Sequence, residues 1–301
     1  MKETKENTLN FSSSPDRAGF LVSDEGDKYY LKVKLKDQMF KELLAQEVAE
    51  ILNIKHAEYI ACLYNGYKAL ISKSYIKTGY NYIKGSDLMK TYFKGTKKEL
   101  LYDKTINSKI KIKESQDLYI IWQAMEQEFK HYPNYDYLII SFMDKLIEMV
   151  LFDILIANWD RASRNWCIEY NETEFKLVDI FDHDYSFDPC GGYDDYKVAL
   201  SVGQCLYENN CDALKNLINE TSGNILEKFE SFCSKVNPDN INEFIGNVMS
   251  KHDIIFNQSD IFETYYHFTA NYKSLQNAIK EIKSSKTDKT KKLFWRSKSK
   301  W

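Results

Sequence analysis

The sequence predicts an α+β protein of two lobes, a small strand-rich one followed by a larger, mainly helical one. Three observations predict it. Strand-like runs crowd the first 90 residues around one helix, a long apolar segment runs from Tyr137 to Asn158, and helical periodicity dominates from about 195 to 283. At 301 residues and 44% hydrophobic content the chain can bury a core in each lobe. Only 11 Gly and 4 Pro argue against disorder and against a turn-rich all-β fold.

In order, Phe20-Leu21-Val22 and Tyr29-Tyr30-Leu31-Lys32-Val33 form two strands joined by the turn Asp24-Glu25-Gly26-Asp27. A helix from about Gln38 to Leu52 carries Leu44, Val48, Ile51 and Leu52 at helical spacing. Tyr59 to Leu63 and Tyr67 to Tyr75 make a hairpin turning at Asn65-Gly66. Residues 91–136 are polar, helical with loops around Tyr132-Pro133-Asn134. The Tyr137–Asn158 helix is the spine of the second lobe, and Cys167 to Tyr170 and Phe175 to Phe181 return to strands. The division is a small lobe at 1–90, a helical lobe at 91–283 and a basic, flexible tail at 284–301. Poor packing is expected from just after Glu281, where Lys and Ser accumulate before Leu293-Phe294-Trp295-Arg296.

Composition narrows the function. A net charge of -3 excludes a general polyanion binder, direct nucleic-acid binding is not expected, and the basic tail reads as a solvated end. Met1 to Asn10 lacks the apolar stretch of a secretion signal, so a cytoplasmic protein with its six cysteines reduced is expected. No CxxC pair exists, which argues against zinc. Leu146 to Ala157 is too short for a membrane span and contains Glu148 and Asp153.

The chemistry concentrates between Asn158 and Asp182. Asp160 with Asn165 five residues on, followed after two strands by Asp182, is the spacing of kinase-type phosphotransfer sites. Asp160 would orient and deprotonate an attacking hydroxyl, while Asn165 and Asp182 would hold magnesium on the phosphates of ATP. Asp179, Asp184 and Asp188 crowd the same segment; Asp182 is preferred because a ligand belongs at the strand's end, and Asp184 is the runner-up. Lys32, with Lys34 on the same strand face, offers the cation for the phosphates. Glu42 is the favoured partner for that lysine and Glu47 the alternative. Ser12, Ser13 and Ser14, before the first strand, could donate to phosphate oxygens, although the loop is neither a Walker A nor a glycine-rich kinase loop. Arg164, beside Asn165, is a further candidate nucleotide contact.

The run Phe152-Asp153-Ile154-Leu155-Ile156-Ala157-Asn158-Trp159-Asp160-Arg161, with Arg164-Asn165-Trp166, resembles the HipA-like kinase family, whose motif reads approximately F-D-x-L-I-G-N-x-D-R-H-x-x-N-W. Ile180-Phe181-Asp182 resembles its metal motif, Tyr29 to Lys32 its ATP-lysine strand, and Ala69 to Tyr75 its strand leading to the adenine-holding hinge. The resemblance implies a two-lobed, protein-kinase-like fold related to phosphatidylinositol kinases and an ATP- and magnesium-dependent serine/threonine protein kinase. It implies a protein substrate and, as in toxin members, an antitoxin or regulatory partner. It makes Asp160 the base, Asn165 and Asp182 the magnesium ligands, and Lys32 the holder of the α/β-phosphates. Ser72, Lys73, Ser74 and Tyr75 would line the adenine pocket. Ala162 stands where the family has His and Ala157 where it has Gly. A catalytically weak pseudokinase acting as a nucleotide-responsive binding module is the rival reading, and a lipid kinase the third.

Overall fold

The computed structural model describes residues 2–3, 19–22, 28–33, 36–64, 66–73, 77, 79–94, 118–158, 161, 163–187, 214–215, 217–218 and 224–285. Strands β1 (Lys2–Glu3), β2 (Gly19–Val22) and β3 (Lys28–Val33) precede helix α1 (Lys36–Leu52). β4 (Tyr59–Tyr64) and β5 (Tyr67–Lys73) complete a five-stranded sheet of order β1-β4-β5-β3-β2, antiparallel except where β1 runs parallel to β4. The predicted hairpin is present, with Tyr64 opposite Tyr67 and Gly66 at φ 79°, a conformation open to glycine at no steric cost.

Strand alternation separates the two faces of this sheet. Leu31, Cys62 and Ala69 form a small apolar cluster on one face. The register that sets Lys32 opposite Leu70, and Leu70 opposite Ala61, puts Lys32 on the other face, where Leu70 and Ala61 join the main core with α1. Helix α1 is buried nearly all round because it lies between the sheet and the C-terminal helices. Met39, Phe40, Leu43, Leu44 and Val48 are core residues.

The second part begins with β6 (Asn81–Lys84) and α2 (Gly85–Phe93), then α3 (Leu118–Phe129) and the spine α4 (Tyr135–Ile156). β7 (Cys167–Tyr170) and β8 (Phe175–Leu177) pair with β6 in a three-stranded antiparallel sheet of order β6-β7-β8. Helices α5 (Ile225–Lys235), α6 (Ile241–His252) and α7 (Gln258–Ser285) follow. Phe256, in the α6–α7 connection, packs against Phe40 of α1 with tilted rings whose centroids lie 4.4 Å apart. Beside it, Lys251 Nζ meets Glu50 Oε1 at 2.6 Å. Among the described residues no helix is long and apolar enough to cross a membrane.

Two expectations need correction. The strand foreseen to Phe181 ends at Leu177, so Asp182 does not sit at a strand's end. After Val178 the chain changes partners: Ile180 donates to the Lys55 carbonyl (3.0 Å) and accepts from the Ala57 amide (2.8 Å). This carries it from the second sheet to the foot of α1. The poor packing foreseen just after Glu281 also starts too early, because α7 continues to Ser285 and Ile282 is buried in the core.

Candidate active site

Lys32 projects from β3 into the space between sheet and α1. Its ammonium donates to Asp182 Oδ1 at 2.6 Å, lies 3.5 Å from Glu42 Oε1, and sits 5.4 Å from the centre of the Tyr59 ring. Burial alone would depress the lysine pKa. The opposing fields of Glu42, Tyr59 and Asp182 outweigh it and hold the group charged, well above the ordinary lysine value. Glu42 is fully buried and its second oxygen accepts the His183 backbone N–H at 3.0 Å. One carboxylate on α1 therefore joins the strand lysine to the loop that carries Asp182. The alternative partner Glu47 is engaged elsewhere, accepting from Asn247 Nδ2 of α6 at 3.0 Å. Lys34 lies outside the described residues.

Asp182 occupies the left-handed region at φ 65°, which Asp tolerates better than most residues. The turn brings Asp184 inward, buried, whereas Asp179 is exposed. Glu42, Asp182 and Asp184 each place a carboxylate oxygen within 4.8 Å of the others. Hard oxygen donors at this density fit a magnesium ion better than a transition metal, and the preferred and runner-up aspartates lie in one cluster. Asn165 is buried at the end of a 3-10 turn spanning Ser163–Asn165. Asp160 and Ala162 lie outside the described residues.

The densest part of the site is one the sequence reading did not single out. Arg161, 1% exposed, donates through Nε to Asp153 Oδ2 (2.8 Å) and through Nη2 to Asp153 Oδ1 (3.1 Å). Its Nη1 donates to the carbonyls of Asn165 (2.7 Å) and Phe181 (2.6 Å). The remaining Nη2 hydrogen points at His183 Nε2, 2.8 Å away. That nitrogen must then accept, which places the His183 proton on Nδ1 and leaves the ring neutral. Burial, reinforced by the Arg161 charge, accordingly pulls His183 well below the ordinary histidine pKa. Asp153 is fully enclosed; burial raises its carboxyl pKa, while Arg161 and the Asn158 amide (2.8 Å) oppose the shift. The available signal was Asp153 itself, a carboxylate inside an apolar helix that demands a buried cation nearby.

The loop is held at both ends. Helix α4 closes with the Asn158 amide bonded to the Asp153 carbonyl (2.9 Å) around Ala157 at φ 53°, a Schellman-type end in which an alanine takes the usual glycine position. Beyond the loop, the indole of Trp166 lies over Gly85 so closely that an added Cβ would stand 2.3 Å from the ring.

The remaining predicted contacts are dispersed. Ser72 is buried in β5, opposite Tyr30 and Tyr59, while Lys73 at the strand's end and Arg164 in the 3-10 turn are exposed. Ser12, Ser13, Ser14, Ser74 and Tyr75 lie outside the described residues. The structure thus gathers Lys32, Glu42 and Asp182, and links the Asn165 and Asp182 turns through Arg161.

No protein-family model matches the chain, and no curated protein matches it in sequence. Solved structures do. A proinflammatory kinase of Helicobacter pylori, CtkA, superposes with a TM-score of 0.59 at 15% identity, over 93% of this chain and 96% of that one. HipA of Shewanella oneidensis MR-1, from a toxin–antitoxin complex with HipB and operator DNA, superposes with a TM-score of 0.57 at 12% identity, over 93% and 68%. The fold is therefore α+β, two-lobed, HipA-like and kinase-related.

Proposed function

We propose that this chain is an ATP- and magnesium-dependent protein kinase that transfers the γ-phosphoryl group to Ser or Thr hydroxyls. The observation that carries the reading is the convergence of buried Lys32 and Glu42 and half-buried Asp182 from three separate stretches of chain, between a five-stranded sheet and a helical body. A lysine oriented by a helix glutamate beside a metal-binding aspartate is the equipment of phosphoryl transfer, where catalysis is positioning and charge neutralisation.

In this reading ATP sits between a small lobe at about 1–90 and a large lobe at about 91–283. Lys32 binds the α/β-phosphates, held in line by Glu42. Asn165 and Asp182 hold magnesium, with Asp184 beside them. Bound magnesium supplies neutralisation of phosphate charge. Asp160 takes the proton of the attacking hydroxyl. Ser72 to Tyr75 line the adenine site, and Ser12 to Ser14 with Arg164 contribute further nucleotide contacts. The substrate is a protein, the compartment the cytoplasm. The HipA neighbour, determined with HipB and operator DNA, supports a regulatory or antitoxin partner for this chain.

The test is incubation with γ-labelled ATP and magnesium, comparing wild type with Asp160→Ala. Acid-stable label on Ser or Thr made only by the wild type is the expected result. Nucleotide-dependent thermal stabilisation with no transfer to any protein would replace the kinase with a nucleotide-responsive binding module.

A further inference from the structure

Arg161 has five N–H donors and five acceptors. Two are the oxygens of Asp153, two are main-chain carbonyls, and one is His183 Nε2. The two carbonyls are informative. One belongs to Asn165 and the other to Phe181, the residue before Asp182. These turns come from different stretches of chain, separated by β7 and β8. A single Nη1 bridges them, so the backbones carrying the two candidate metal ligands are fixed relative to each other through one planar group.

The group itself cannot drift. Asp153, on the last turns of α4, clamps the guanidinium through two oxygens, and Asn158 Nδ2 holds that carboxylate from the other side. The last turns of α4, Met149 to Ile156, are buried throughout, so the reference point is rigid. Lysine could not serve. An ammonium has three donors that radiate from one point, and no planar fork to reach a carboxylate, two carbonyls and an imidazole together.

We infer that Arg161 is the positioning residue for the metal: it presets the Asn165 and Asp182 turns so that their side chains meet a divalent cation without reorganisation. The inference rests on the proposed magnesium role of those two residues. It requires no contact between Arg161 and nucleotide, which its burial and full set of partners exclude. Partners behind metal ligands commonly control affinity by about 10–100-fold.

The experiment measures Mn2+ binding by water-proton relaxation in the presence of ADP, for wild type, Arg161→Lys and His183→Leu. The expected result is a Mn2+ dissociation constant raised about tenfold or more by Arg161→Lys. A smaller rise is expected for His183→Leu, which removes one of the five acceptors and leaves the Asp153 pair intact. Metal-free ADP affinity should stay within about twofold of wild type, which a merely loosened fold would not allow. A folded Arg161→Lys protein with unchanged Mn2+ affinity overturns the inference. If Arg161→Lys does not fold, unchanged Mn2+ affinity in His183→Leu overturns it. Wild type that fails to bind Mn2+ overturns it too. Wild type that binds Mn2+ but transfers no phosphoryl group, with both variants weakened as stated, sinks the kinase reading and supports the role of Arg161.

Discussion

Lys32 Nζ lies 2.6 Å from Asp182 Oδ1, although 150 positions separate the two residues. Glu42 stands 3.5 Å from the same ammonium and accepts the amide of His183, so one buried carboxylate ties the lysine strand to the aspartate loop. Removing the charge and the acceptor together should therefore cost more than removing the charge alone. Glu42→Ala is expected to lose about 3–5 kcal/mol of stability, the usual result of orphaning a buried charge. Glu42→Gln keeps an oxygen for the His183 N–H and should lose roughly 1–2 kcal/mol. Urea denaturation of both variants checks the order.

Gly85 is a close-approach glycine. A Cβ there would stand 2.3 Å from the Trp166 indole and 2.7 Å from the Ser163 carbonyl, and neither a buried ring nor a backbone oxygen can yield cheaply. Gly85→Ala is expected to destabilise by about 1–3 kcal/mol. Because the strain falls on the turn that presents Asn165, transfer activity should drop more than the loss of folded protein explains. Thermal melts beside activity per folded molecule separate the two effects.

Ala157 carries the opposite expectation. Its φ of 53° is left-handed, a conformation that costs an L-residue with a Cβ roughly 1–2 kcal/mol. The equivalent ends of α1 and α6 use Asn53 and Asp253, which bear the same φ more readily. Ala157→Gly should stabilise by about 0.5–1 kcal/mol once the loss of the buried methyl and the extra freedom of the unfolded chain are offset. A lower urea midpoint for the glycine variant would show that packing of the methyl dominates.

His183 makes stability depend on acid. Its folded pKa is depressed well below 6.5 by burial, so below pH 6.5 the unfolded chain gains a proton that the folded chain refuses. Stability is present in full above that pH and falls as pH drops, by up to about 1.4 kcal/mol per unit for one proton. Burial lowers His252 in the same direction, so His183→Gln should flatten the slope without abolishing it. Unfolding free energies measured between pH 7 and 5 decide the matter; an unchanged slope in His183→Gln would show that the ring is not buried neutral.

Strands β2 to β5 and helix α1 were readable because their signals are local. Strand alternation over Tyr29 to Val33, the Asn65-Gly66 turn and the spacing of α1 each act within a few residues, and they were enough to bring Lys32 and Glu42 to one face. The path of 178–181 was not readable. Its apolar alternation suits a strand, but the partner that takes over is the Lys55–Ala57 segment, more than 100 residues upstream. The role of Arg161 is hidden for a similar reason. A lone arginine after an aspartate reads as surface charge until a carboxylate buried in α4 is seen to need it. Ile282 shows the same limit at the C-terminus, where one apolar residue among lysines and serines is held by tertiary packing that composition does not display.

Lys32 and Asp182 are proposed to serve one phosphoryl-transfer site. The most direct measurement is the rate of γ-phosphoryl transfer at saturating magnesium for wild type, Lys32→Met, Asp182→Asn and the double variant, each confirmed as folded. A loss of at least about 100-fold is expected in each single variant, with the double variant no worse than the weaker single, as for residues that act as a unit. Wild-type rates in folded Asp182→Asn would contradict it.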